Sequence, residues 1–289
     1  MMRKYTDERI IFYVVLYLGA GIVLLLINYF QMPVHFVAIF IIILVISVMS
    51  YLAKNENTKK GKLSFEEKSI LQGFEFYQTL TKTEQQEFEK RVAFITLNKA
   101  FVGRQDLSIT PRMKVLIAAT FAQIGFGFKF ISFEDFDKII IFPKAYYSKH
   151  TGRKHKGEVN SAGVIMLSWA DFLEGYNISD DGYNVGLHEI AHALRLEDAM
   201  PGEEYHFLKE ADLTNWNRVA EREYNSIRAG NTSFIRSYAG TDRQEFFAVC
   251  VEQFFEQPQA FYDALPSLYK ALAQLMKQDP LKRKWRTIN

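Results

Sequence analysis

Residues 188–192 read His188-Glu189-Ile190-Ala191-His192, an H-E-x-x-H sequence in a segment whose apolar spacing is helical. Side chains four residues apart stand one turn apart on one helix face, so the two imidazoles can reach one metal ion together. Glu189 lies beside them, where its carboxylate can take a proton from a metal-activated water. This is the chemistry of zinc-dependent hydrolysis. Five residues can match by chance, so the other parts of such a site must be sought elsewhere in the chain.

A catalytic zinc takes three protein ligands and leaves a fourth position for water. Of the remaining histidines, His35 lies in an apolar run, His150 and His155 in a basic loop, and His206 in an exposed-looking turn. The longer pattern H-E-x-x-H-x-x-G-x-x-H fails, because Arg195 stands at its glycine and Asp198 at its last ligand. Without that glycine the helix does not easily turn back, which leaves Asp198 a weak candidate. A later segment, RQEFFAVCVEQFFEQP, offers Glu245, Glu252 and Glu256. Phe246, Val249 and Phe254 predict that this helix is largely buried, and a buried glutamate needs a cation or a hydrogen-bond partner. Spacing alone leaves Glu245 open against Glu252 and Glu256. The single cysteine, Cys250, sits in the same apolar run and reads as core; one cysteine permits no intramolecular disulfide, which fits a reducing compartment.

The elements that must position these groups can be read in outline. Thr83 is the expected cap of a helix through EQQEFEKRVAFITLNKAF, and a second helix runs from Pro111 to about Gly125. Two strand-like runs follow, at 138–143 and 162–169, joined by the polar, glycine-bearing SKHTGRKHKGEVN, which reads as a loop or hairpin. The second run, AGVIMLSW, is a candidate for pairing with an extended peptide, or else an ordinary core strand. The H-E-x-x-H helix starts near Tyr183-Asn184, residues 199–240 mix helix and loop, and helices cover 243 to about 255 and 259–277. Asn184, Trp169 and Asp242 are candidate supporting residues. These elements predict an α+β fold, mostly helical with a small sheet.

Residues 10–30 and 34–53 form two apolar runs without Lys, Arg, Asp or Glu, each long enough for a helix to cross a bilayer. Gln31-Met32-Pro33 between them allows only a tight turn, so the pair predicts a transmembrane hairpin over 1–53. Arg3, Lys4 and Arg9 precede it, and Lys54, Lys59, Lys60 and Lys62 follow. This places both termini and the body in the cytoplasm of a multi-pass inner-membrane protein. Residues 54–62 are polar and read as a linker, leaving 63–289 as the body. Up to residue 62 basic residues outnumber acidic ones, whereas the remainder is slightly acidic, which gives no surface suited to nucleic acid. A membrane protease with its site among several spans would need further spans after residue 200, and none follows.

Three pieces occur together and in order: GVIMLSW, DGYNVGLHEIAHAL and YAGTDRQEFFAVCVEQFFEQP. On these the body resembles the Mlc titration factor A family of zinc-dependent peptidases, with weaker similarity over about 65–289. The resemblance implies a zincin-like (gluzincin-type) domain that holds one Zn2+ through His188, His192 and Glu245, with Glu189 as general base. It also implies that Tyr238, seven positions before Glu245, assists the transition state. A peptide or protein is the implied substrate, with aminopeptidase action expected. A glucose-related transcriptional regulator is an implied partner, so a tethered module that sequesters such a regulator is the alternative to an enzyme. Two positions depart from the family's usual pattern, Ile190 for a phenylalanine and Arg195 where an acidic residue is common.

Overall fold

The computed structural model describes residues 61–129, 131–148, 152–160, 162–198 and 207–283, with isolated helical positions between residues 35 and 45. The chain divides into two units, Met1–Thr58 and Lys59–Asn289. In the first unit, residues 35, 36, 39, 41–43 and 45 are helical with exposed side chains. The rest of the expected spans, 10–30 and 34–53, lies outside the described residues. Among the described residues no helix is long and apolar enough to cross a membrane. A span needs about 20 consecutive apolar residues, and the longest described helix, the 19-residue Glu210–Arg228, is interrupted throughout by acidic and basic side chains. The expectation of a multi-pass inner-membrane protein with a cytoplasmic body is corrected accordingly.

The second unit opens with three helices, α1 (Phe65–Gln72), α2 (Glu75–Thr79) and α3 (Lys82–Asn98). α1 and α3 begin at capping boxes, in which Ser64 and Glu67, and Thr81 and Glu84, exchange side-chain and backbone hydrogen bonds. Thr81 rather than Thr83 is thus the cap of α3, because Glu84 returns its carboxylate to the Thr81 amide at 2.8 Å. Strand β1 (Ala100–Gly103) follows, then α4 (Pro111–Ile124), capped by Thr110 and opened by a proline whose missing amide would have had no partner there. Next come β2 (Lys138–Phe142), β3 (Tyr146–Ser148), β4 (Arg153–His155), β5 (Gly157–Asn160) and β6 (Val164–Ser168). The remaining helices are α5 (Trp169–Asn177), α6 (Val185–Asp198), α7 (Glu210–Arg228), α8 (Arg243–Glu256), α9 (Pro258–Ala264) and α10 (Pro266–Met276). A 3-10 turn, Ser237–Gly240, lies between α7 and α8.

Four strands form one sheet in the order β1-β2-β6-β5, and β3 pairs with β4 in a separate hairpin. β1, β2 and β6 run parallel, while β5 runs antiparallel to β6. Ile139 and Ile141 on β2 stand opposite Ile165 and Leu167 on β6, all fully buried. Their two-residue spacing sends one face of each strand into the core, where α4 and α6 pack. β6 lies between two strands, so its backbone is already paired on both sides. β5, inside the polar segment read as a connection, is the edge strand instead.

Candidate active site

The two helices that carry the reactive groups are each fixed at their first turn. The side-chain oxygen of Asn184 accepts the amide of Leu187 at 3.0 Å, capping α6, and its side-chain NH2 donates to the Gly175 carbonyl of α5 at 2.9 Å. On α8, Asp242 accepts the amides of Gln244 and Glu245 at 2.8 and 2.9 Å. Apolar side chains of both helices, among them Ile190, Leu194, Phe246 and Val249, are buried in the core. The polar face of α6 therefore meets the polar face of α8 along one line.

On that line, ligand atoms of His188, His192 and Glu245 lie within 4.8 Å of one another. Nε2 of His188 is 3.1 Å from Nε2 of His192 and 2.9 Å from Oε2 of Glu245. Oε1 of Glu245 is 3.5 Å from Nε2 of His192. Oε2 of Glu245 is buried and makes no aligned hydrogen bond. Two ring nitrogens facing each other and a buried carboxylate oxygen thus converge on one small volume, and a cation is the species that satisfies all three. Two imidazoles and one carboxylate are a donor set that suits zinc. The residues present fit a metal ion.

The charges around the site point the same way. Burial opposes charge on His188, but the carboxylates of Glu245 and Glu252 outweigh it and raise its pKa to about 10. Burial would raise Glu245, yet the imidazoles of His188 and His192 beside it hold it well below the usual carboxylate range. Glu189 behaves otherwise: burial lifts it to about 7, although the two histidines pull it down. A carboxyl poised near neutrality is suited to taking up and releasing a proton. Tyr238 sits on the 3-10 turn with its ring 6.2 Å from that of His188. Burial and the nearby Glu245 push its hydroxyl up to about 12, so it keeps its proton and can donate. At 51% exposure it remains open to solvent and to a substrate.

His188 and Glu189 line a cleft of about 420 Å³, with Lys154, Tyr183, Arg236 and Tyr238 around them. Edge strand β5 borders it at Gly157. A Cβ at this position would stand 2.4 Å from Cγ and Oε1 of Glu189, so only glycine leaves the carboxylate its place. Two residues here have no signal of their own in the sequence, Gly157 and Arg236, and a third, Glu252, takes a different place from the one expected. Glu252 follows Glu245 by seven residues, two helical turns, so both face α6. Spacing had put Glu252 forward only as a rival ligand. Its Oε1 lies instead 2.7 Å from Nδ1 of His188, on the far side of the ring from Glu245.

The other candidates lie elsewhere. Both carboxylate oxygens of Glu256 are buried without an aligned hydrogen bond, and burial raises the group to about 8. Oδ1 of Asp198 accepts the amide of Leu208 at 2.9 Å, at the opposite end of α6 from His188. Arg195 lies over the Phe247 ring at 5.7 Å. His155 is on the β4 hairpin, whereas His150 and His206 lie outside the described residues. Trp169 stacks on Phe172 at 5.5 Å and serves packing, and Cys250 is fully buried.

Residues 52–277 match the family model of the glucose-regulated metallo-peptidase M90. Mlc titration factor A of Edwardsiella ictaluri is 26% identical over 221 residues, covering 69% of this chain and 82% of the relative. The protein of that name from Klebsiella pneumoniae is 25% identical over 224 residues, covering 71% and 83%. An uncharacterized protein of Synechocystis is 25% identical over 222 residues, covering 71% and 81%. The matched region contains both capped helices, the edge strand and the turn bearing Tyr238, and the chain belongs to the glucose-regulated metallo-peptidase M90 family.

Proposed function

We propose that residues 63–289 form a zinc-dependent peptidase that hydrolyses peptide bonds, with one Zn2+ held by His188, His192 and Glu245. The observation that carries this reading is the convergence of those three side chains beside a buried, cleft-facing Glu189 whose pKa stands near 7. Zinc bound there supplies a Lewis acid that polarises the scissile carbonyl and acidifies a water toward a pKa of about 7. Among the described residues the outer edge of β5 is unpaired and offers backbone groups along which an extended peptide can lie, and Gly157 lets it run close to the carboxylate. Glu189 accepts the proton of the attacking water and delivers it to the leaving amine. Tyr238 donates a hydrogen bond to the substrate oxygen as it gains charge.

A panel of fluorogenic aminoacyl and internally quenched peptide substrates, assayed with and without a chelator, tests this. Chelator-sensitive hydrolysis restored by zinc is expected, and the aminoacyl arm tests the expected aminopeptidase action. Absence of hydrolysis across the panel by zinc-loaded protein would overturn the reading. A second reading rests on the name of the relatives, Mlc titration factor A: this chain binds a regulatory protein instead of hydrolysing peptides. Regulator binding that survives Glu189→Gln, in a protein without hydrolytic activity, would favour it.

A further inference from the structure

The metal-type ligands account for one nitrogen of His188. The other, Nδ1, is 2.7 Å from Oε1 of Glu252, a residue 2% exposed. The same oxygen accepts from Nη2 of Arg236 at 2.5 Å, and Oε2 accepts the amide of Asn184 at 2.7 Å. All of these partners are donors or, like a histidine ring nitrogen, can be, which fits a carboxylate acting purely as acceptor. An acceptor facing Nδ1 requires the proton on Nδ1 and leaves the lone pair of Nε2 free to ligate.

Arg236 does more than balance charge. Its Nη1 donates to the Gly182 carbonyl at 2.7 Å, and its guanidinium lies 4.5 Å over the ring of Tyr183 at the cleft mouth. Two residues later the chain places Tyr238. The guanidinium therefore ties three things together: the turn before α6, the carboxylate behind His188, and the segment that carries the phenol. The planar fork of arginine meets two acceptors at fixed angles, which a lysine ammonium does not reproduce.

We infer that Glu252 and Arg236 are a positioning pair, Glu252 setting the tautomer and orientation of His188 for metal binding and Arg236 locking Glu252 and the Tyr238 segment to the start of α6. This rests on the metal reading above. Neither residue touches the substrate's reacting atoms in this scheme.

Zinc affinity measured by competition with a chromogenic chelator tests the pair directly. If wild-type protein fails to take up one zinc, the metal reading itself fails. If wild type binds zinc, Glu252→Gln, which keeps the shape but presents a poorer acceptor, is expected to weaken zinc binding by about 10- to 100-fold. Unchanged affinity would overturn the role of Glu252. Arg236→Lys is expected to lower kcat with little change in KM, because Tyr238 loses its anchor, and unchanged kcat would overturn the role of Arg236. Should Glu252→Gln fail to fold by circular dichroism, the zinc-loaded wild type still decides the matter. Its His188 should show a downfield, slowly exchanging Nδ1–H proton resonance, and a fast-exchanging, upfield one would overturn the inference.

Discussion

Glu189 and Glu197 lie eight residues apart on one helix, both are nearly buried, and burial raises the pKa of each to about 7. Their surroundings divide them. Glu189 faces the cleft beside two imidazoles and beneath an edge strand that leaves it room. Glu197 turns to the opposite end, where Oε1 accepts the amide of Glu134 at 2.7 Å, near Lys99, whose ammonium donates to the Phe133 carbonyl. A perturbed carboxyl alone therefore does not mark a catalytic group. Access to a cleft and a cluster of ligand atoms does, whereas bonding to a loop backbone marks a fastening.

The largest expected effect separates these two glutamates. Glu189→Gln should lower kcat by about 10²- to 10⁴-fold while zinc stays bound, since the amide keeps the shape and loses the base. Glu197→Gln should leave kcat close to wild type. Equal losses in a steady-state assay would break the contrast. Next in size is metal retention: Glu245→Ala should release zinc during dialysis and lower the melting temperature, because ligand binding to the native state is stabilising. Metal analysis finding one zinc per chain in that variant would mean that another group ligates. Tyr238→Phe removes a single donor aimed at developing charge, a loss typically of about 3 kcal/mol, or roughly 10²-fold in kcat. A change confined to KM would show that the phenol binds substrate without favouring the transition state.

The smallest effect concerns the back of the helix. Glu197 has a folded pKa of about 7 against an ordinary 4.5, so folding favours its protonated form. Its contribution to stability is present below about pH 4.5 and is lost as pH rises through about 7. Lys99, lowered by burial to about 8, has the opposite sign: its contribution is present at high pH and is lost as pH falls through about 8. Denaturant melts from pH 5 to 8 should show Glu197→Gln losing less stability over this range than wild type. An identical slope in both proteins would place the pH dependence elsewhere, for instance at Glu256.

Local signals were legible wherever the chain's own periodicity carries the information. Pro111 behind Thr110, the apolar run at 138–142 and the helical spacing around His188 all have local physical causes, and the elements form there. Element ends and edges were less legible. Thr81 and Thr83 both resemble caps, and only the returned bond from Glu84 chooses between them. AGVIMLSW looks like a strand that can take a peptide, but an apolar strand is the one a sheet buries in its middle. The polar, glycine-led β5 is left at the rim. The apolar runs at 10–30 and 34–53 belong to a third class, since composition there spoke strongly while the described residues contain no membrane-crossing helix.

By itself the chain order determined the reactive inventory: two histidines and a glutamate within one turn and a half, a later helix with Glu245, Glu252 and Glu256, and a tyrosine seven residues before the first of these. That much follows because helical spacing is a property of neighbours along the chain. Tertiary structure decided which acid stands where. Packing of α8 on α6 brings Glu245 to Nε2 of His188 and Glu252 to Nδ1, and leaves Glu256 buried apart from both. It also decided that Gly157, 32 residues before Glu189 and on a different element, must lack a side chain. Such choices depend on how two surfaces meet, a distance between elements that no spacing within either one contains.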